Sequence, residues 1–335
     1  MINENDIITC KNYKGICDYI YCPADNKKYI PNGGVVWCAL DDIVDFFDKI
    51  KGTNNKYVVV SSYSDFGLCY QHNNTTGNDL IKYVKLCVKQ YPNCGYQQIQ
   101  LPPTCNVARC NPLHKYSIKC YRFTHSTFDE IPNEVKHWFC VNNIIEHENI
   151  TTIPFGIAEN KEKYFANIDS NKIKKKKCIY INFNNYTLER ELLKEQLRTQ
   201  LKNKYNIKIY IEEKEIPFEE YLEKLLYYKY VLCPPGNGLD CYRTLETLYT
   251  YGVPILEQNN NTNLLNIPGP KYHPLTTNLL SNLIGMLKLN KELPLKSSYL
   301  YYDDENFTSL IEKLQQIKLS YWKQQIKYKC EEHNI

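Results

Sequence analysis

Tyr230–Glu257, YVLCPPGNGLDCYRTLETLYTYGVPILE, reads as strand, turn, helix, turn, strand. Tyr230–Cys233 is an apolar strand that stops at Pro234-Pro235. Gly236-Asn237-Gly238 then makes a turn whose backbone can approach a ligand closely. The pattern predicts a helix from Leu239-Asp240 to Gly252, the latter at the C′ position before Val253-Pro254. At about 100° per residue, Leu245, Leu248 and Tyr249 share one arc, and Asp240, Arg243, Glu246 and Thr247 the opposite one. One face is core. The other sets a cation and two carboxylates beside a glycine turn at a helix N-terminus, where orphan N–H groups and the helix dipole favour an anion. Arg243 would add a charge-assisted fork. Glu246, one turn deeper, would accept hydrogen bonds from a diol such as ribose. The bland alternative is a surface i,i+3 pair between Arg243 and Glu246.

Pro234, Gly236, Gly238, Asp240, Arg243, Glu246, Leu248, Gly252, Pro254 and Ile255 together resemble the nucleotide-sugar signature of exostosin-like glycosyltransferases with the GT-B fold. The resemblance implies an α/β chain of two Rossmann-like domains facing across a cleft, with a C-terminal helix returning to the first domain. It implies transfer of a sugar from a nucleotide-sugar donor to an acceptor hydroxyl on a glycan or protein, with inversion. An N-x-x-T-x-x-R loop faces the diphosphate in that family, and Asn184, Thr187 and Arg190 match it. Ile153-Pro154-Phe155-Gly156-Ile157 looks like the strand before its interdomain crossing. The expected donor-binding set is therefore Asn184, Thr187, Arg190, Gly236, Asn237, Gly238, Asp240, Arg243 and Glu246.

A GT-B site stabilises the leaving diphosphate with helix N-termini and basic side chains. No Asp-x-Asp occurs; Asp41-Asp42 and Asp303-Asp304 are adjacent pairs that suit a cap and a turn. No metal and no cofactor are expected beyond the nucleotide sugar. The reaction needs a general base within ~3 Å of the acceptor hydroxyl. Asp65 is the candidate: it follows the run Lys56–Ser62 and matches a Ser-x-x-Asp loop of the resembled enzymes. His125 and Glu130 are its rivals.

The rest of the chain bounds this reading. With 335 residues it is long enough for two domains, and 43% apolar and 23% charged residues describe a globular protein with real cores. A net charge of +4 implies no strong polyanion or nucleic-acid binding. Abundant Tyr, Asn, Lys and Ile read as compositional bias. Met1–Asp6 is polar and lacks an apolar h-region, and no apolar run approaches the ~18 residues of a membrane span. A cytoplasmic or otherwise soluble chain without a transmembrane segment is the expectation. Fifteen cysteines are read as reduced thiols, and a zinc cluster at Cys105, Cys110, His114 and Cys120 fits no standard spacing.

The expected division is 1–160 for an acceptor-side domain, with a Cys/Pro-rich insertion at 90–122, 178–295 for a nucleotide-sugar domain, and 296–335 for a helical tail. In the first part, Ile7–Tyr21 and Val35–Ala39 read as strands or their approaches, Ile43–Ile50 as a helix, and Lys56–Ser62 as a buried parallel strand. Lys174–Lys177 reads as a solvated linker. Cys178–Phe183, Ile207–Ile211 and Tyr230–Cys233 are strands, Leu188–Leu201 and Phe218–Tyr228 helices, and Asn306–Ile326 a last long helix. Two other functions stay open. One is a different nucleotide-dependent α/β enzyme, although the chain has no GxxxxGK[ST] and no early GxGxxG. The other is an inactive glycan- or nucleotide-binding relative.

Overall fold

The computed structural model describes residues 2–62, 66–70, 116–120, 123–184, 188–201, 208–236, 238–267, 271–272 and 314–335. Its framework is α/β with two parallel, Rossmann-like sheets. The first half contributes β1 (Tyr19–Tyr21), β2 (Gly34–Cys38) and β3 (Tyr57–Ser61), then β4 (Phe66–Tyr70), β5 (Tyr116–Cys120) and β6 (Phe123–Phe128), then β7 (Val135–Cys140) and β8 (Ile150–Thr152). The parallel sheet runs in the order β1-β2-β3-β7-β8, and β4-β5-β6 form a separate antiparallel sheet. That antiparallel unit was not legible in the sequence, and β5 falls inside the stretch read as an irregular insertion.

β3 is the spine of the first sheet because Tyr57-Val58-Val59-Val60-Ser61 is buried on both faces. Its polar end is used rather than wasted. Ser61 Oγ accepts from Trp138 Nε1 at 3.0 Å, and Ser62 Oγ accepts from Trp37 Nε1 at 2.9 Å. Helix Ile43–Ile50 buries Ile43, Phe46, Phe47 and Ile50, as its 3.6-residue spacing predicts. Phe47 meets Trp138 edge-on at 5.3 Å. The N-terminal stretch differs from expectation: Cys10–Gly15 is a helix, capped by the Thr9 side chain on Asn12 N–H.

The second sheet comprises β9 (Lys176–Ile181), β10 (Lys208–Ile211), β11 (Tyr228–Cys233), β12 (Val253–Glu257) and β13 (Lys271–Tyr272) in the order β10-β9-β11-β12-β13. All its pairings are parallel. Helices Leu188–Leu201, Phe218–Tyr227 and Tyr242–Tyr249 connect β9 through β12, as parallel neighbours require. The lysine run is not wholly a solvated linker. Lys175 donates its ammonium to the Leu225 and Tyr228 carbonyls at the end of helix Phe218–Tyr227, and burial pulls its pKa down to about 7. Lys176 already belongs to β9.

Helix Tyr242–Tyr249 starts later than the sequence suggests, with Cys241 as its N-cap. Its end is a Schellman motif: Gly252 N–H bonds Thr247 O and Tyr251 N–H bonds Leu248 O. Tyr251, at φ 58°, takes the left-handed position expected of Gly252. Gly252 is required for space instead, since a Cβ there would lie 2.9 Å from Thr247 Cγ2.

Several bonds join the halves. Tyr249 Oη accepts from Ile8 N–H at 3.0 Å and donates to Ile317 O at 2.9 Å. The last helix is Leu319–His333, later than the stretch read from sequence, and it lies on the first sheet. Trp322 meets Phe139, Ser320 N–H bonds Asp6, and Lys56 reaches His333 O. Among the described residues, no helix is long and apolar enough to cross a membrane.

His137, in β7 beneath this last helix, yields a pH prediction. Its Nε2 pairs with Thr151 Oγ1 at 2.8 Å, while Nδ1 is buried without a partner among the described residues. Burial, then Lys329 and His333, hold its pKa down at about 4. The unfolded chain therefore binds a proton near pH 6.5 that the folded chain refuses until about pH 4. Stability should fall as pH drops through that window, by up to ~3 kcal/mol from this residue. His137→Phe should show a shallower loss of melting temperature between these pH values. Equal slopes in both proteins would assign the acid sensitivity to other groups.

Candidate functional site

The strand order β10-β9-β11-β12-β13 reverses direction between β9 and β11. At such a switch point the loops leaving adjacent strands part to opposite faces and open a crevice at the carboxyl ends. The loops concerned are the one after Ile181 and the one after Cys233, which carry Asn184 and the proline–glycine turn. Topology thus selects the same place as the motif.

Arg190 comes from the first turn of helix Leu188–Leu201 and is buried. It donates from Nε to Pro235 O at 2.7 Å, from Nη2 to Pro234 O at 3.1 Å and from Nη1 to Asn184 Oδ1 at 3.0 Å. The expected diphosphate contact is therefore a brace that ties both switch-point loops together. Gly236 N–H bonds Gly238 O at 2.9 Å inside the turn, so this amide is not offered to a ligand. The glycines answer to crowding: a Cβ on Gly236 would lie 3.2 Å from Arg190 Nη2, and one on Gly238 only 2.5 Å from Asn142 Nδ2. Thr187 and Asn237 lie outside the described residues.

Asn142 was missed by the sequence reading. It follows β7 with φ 52°, and its Oδ1 accepts the Asp240 N–H at 2.8 Å. Its backbone oxygen also stands 2.3 Å from where a Cβ on Gly67 would be. One residue thus touches the glycine turn of the second half and β4 of the first. Beside it, Asn143 O accepts from Asn261 Nδ2 at 3.0 Å. These bonds bring the carboxyl ends of the two parallel sheets together. An isolated Asn-Asn after a strand carries no sequence signal for such a role.

Asp240, expected to contact donor, is buried and faces protein. Its Oδ2 accepts from Phe155 N–H at 2.9 Å, its Oδ1 from Cys241 N–H at 2.8 Å, and the Thr244 hydroxyl bonds it too. Burial raises its carboxyl pKa and these donors oppose that rise. The carboxylate pins the Ile153–Ile157 segment to the start of helix Tyr242–Tyr249.

The helix arc reading needs a second correction. Thr244–Tyr249 are all buried, so the face opposite Leu245 and Leu248 is also covered. Glu246 is 6% exposed, and its Oε2 accepts from Tyr221 Oη of helix Phe218–Tyr227 at 2.8 Å. Burial raises its pKa, against the pull of Arg243 and Tyr221. No Arg243–Glu246 ion pair forms among the described residues, so the surface-pair alternative fails. Arg243 is partly buried, with its guanidinium carbon 5.9 Å from the Tyr221 ring centre. Its Nε is buried and has no hydrogen-bond partner among the described residues. A buried guanidinium donor left unpaired is costly, and a ligand oxygen would remove the cost.

The candidate bases fare unequally. Asp65 lies outside the described residues, and His125 is in β6. Glu130 pairs with Lys51 at 3.0 Å on the surface, near the edge where β3 and β7 begin and away from their carboxyl ends. Among the described residues, no group of three or more His, Cys, Asp or Glu is placed to hold a metal ion. Of the zinc candidates, Cys105, Cys110 and His114 lie outside those residues and Cys120 ends β5. Cys10, Cys17, Cys22, Cys38, Cys140, Cys178, Cys233, Cys241 and Cys330 are free thiols. A cavity of about 290 Å³ lies between β8 and the last helix, lined by His147, Thr151, Leu264 and Trp322, away from the switch point. The chain matches no family model and no curated protein.

Proposed function

We propose that this chain is a glycosyltransferase of the GT-B type that takes a nucleotide sugar at the β9/β11 switch point. The buried Nε of Arg243, unpaired among the described residues and carried by the helix that follows the proline–glycine turn, is the observation that carries the reading. The diphosphate would lie at the start of helix Tyr242–Tyr249, where helix dipole and guanidinium both favour negative charge. Glu246 has one carboxylate oxygen on Tyr221 and would offer the other to the ribose diol. Asn184 and Arg190 shape the crevice wall. The acceptor would approach from the carboxyl end of the first sheet, with Asp65 as the base that takes its proton. The anomeric carbon then passes to the acceptor oxygen as the bond to the diphosphate breaks. Negative charge collects on the leaving diphosphate, where Arg243 stabilises it. The first half would hold the acceptor, the part from 178 onward the donor, and the tail would close back on the first half.

The test is a panel of nucleotide sugars, read by hydrolysis and by thermal shift. One donor should raise the melting temperature by the linkage relation RT ln(1 + [L]/Kd) and turn over slowly without acceptor. Turnover should persist in EDTA, because the sequence has no Asp-x-Asp to hold a divalent cation. Activity abolished by EDTA and restored by Mn²⁺ would oppose the GT-B mechanism. No shift with any nucleotide would oppose the function itself.

A further inference from the structure

In the second half, the Glu212 carboxylate makes no hydrogen bond among the described residues. Glu212 directly follows β10, with its N–H on Ile181 O at 2.8 Å and its carbonyl oxygen accepting from Lys194 Nζ at 2.9 Å. Its backbone is thus fixed at the carboxyl end of β9 and β10. Its side chain makes no hydrogen bond or ion pair among the described residues, and its Oε2 is buried. Neighbouring Glu213 behaves in the opposite way, being engaged by Arg198 at 2.5 Å and by Lys194 at 3.8 Å.

Strand alternation puts Glu212 on the face of Tyr210, which lies beside Tyr180 in register and stacks on it at 6.0 Å. Asn182 Nδ2 caps Tyr180 Oη at 2.9 Å. Glu212 and Arg243 act on Tyr180 with opposite electrostatic sign. By strand order, β9 with Tyr180 lies between β10, which Glu212 follows, and β11, whose outgoing turn leads to the helix that carries Arg243. Two strand spacings span ~10 Å. That is the reach of a nucleotide from its diphosphate to the far edge of its base.

The geometry points to Glu212 as the residue that reads the donor's base, and to guanine as that base, so that the donor is a guanosine-diphosphate sugar. This rests on the reading of Arg243 as the diphosphate ligand. Donor and acceptor matching selects the base. An ionised carboxylate only accepts. Guanine presents two adjacent donors, N1–H and N2–H, to two carboxylate oxygens. Uracil presents one N–H flanked by two carbonyl oxygens, which a carboxylate repels. Adenine presents its amino group beside an acceptor nitrogen. A carboxylate with one oxygen already out of water favours the partner that satisfies both oxygens.

The experiment is calorimetric titration of GDP, UDP, ADP and 2′-deoxy-GDP into wild type and Glu212→Gln, with thermal melts alongside. Wild type should prefer GDP, and Glu212→Gln should lose about tenfold or more of GDP affinity, with UDP and ADP changed little. The variant is close to isosteric, so its melt should match wild type. UDP binding as tightly as GDP to wild type would overturn the inference and leave the diphosphate site standing. An equal loss for every ribonucleotide, with little change for the deoxy form, would place Glu212 on the ribose and overturn the base assignment. Failure of all four to bind wild type would overturn the donor site on which the inference rests.

Discussion

Arg243→Ala is expected to weaken binding of a nucleoside diphosphate by roughly 2–4 kcal/mol, about 30- to 1,000-fold in Kd. The size follows from the surroundings. Arg243 Nε is buried, and the guanidinium lies against Tyr221 with no ion pair among the described residues. Its pairing with the ligand would thus be shielded from water, where a charge-assisted bond is worth most. The ligand-free melting temperature should fall only modestly, because the truncation strands no hydrogen-bond partner but removes the cation that opposes the burial cost of the Glu246 carboxylate. A variant that melts far lower without ligand, and binds as before, would mean that the guanidinium is structural.

Asp240→Ala should act in the opposite way, costing roughly 2–4 kcal/mol of stability by leaving the buried N–H groups of Phe155 and Cys241 without their acceptor. Because Phe155 belongs to the first half and Cys241 to the second, the loss should also loosen one half against the other. Hydrogen exchange would register this as faster exchange at Ile153–Ile157 and at the start of helix Tyr242–Tyr249. Asp240→Asn keeps one acceptor oxygen and should lose about half as much. A stable Asp240→Ala protein with unchanged exchange but lost nucleotide binding would return Asp240 to the ligand site.

These two residues show where sequence reasoning succeeds and where it stops. Strand and helix periods located β3, helix Ile43–Ile50, helix Leu188–Leu201 and the β11–helix–β12 unit, because each buries residues at its own regular spacing. The period of one helix cannot report how many neighbours surround it. Glu246 and Thr247 were placed on an open face, yet Tyr221 and the β11 residue Cys233 close over them. Conformational freedom is what glycine suggests in a turn, but a Cβ at Gly238 would collide with Asn142, and one at Gly236 would press on the Arg190 guanidinium. Tyr251 takes the left-handed position that glycine usually takes, which no propensity would assign to it. Asn142 was illegible for a related reason. Its role comes from contacts with Gly67 and Asp240, 75 residues before it and 98 after it, and only the folded chain supplies them. The topology supplies what composition cannot, since the reversal of strand order between β9 and β11 puts the loops after Ile181 and Cys233 at a switch point without reference to any motif.

The central claim is that a nucleoside diphosphate sits between the Pro234–Gly238 turn and Arg243. A crystal structure of the protein soaked with GDP, and of a parallel crystal soaked with UDP, addresses it directly. In at least one of the two, a phosphate oxygen should lie within hydrogen-bond distance of Arg243 Nε and the ribose hydroxyls at Glu246. A nucleotide bound elsewhere with Arg243 still unpaired, or clear density for an empty crevice at millimolar soak concentrations, would contradict it.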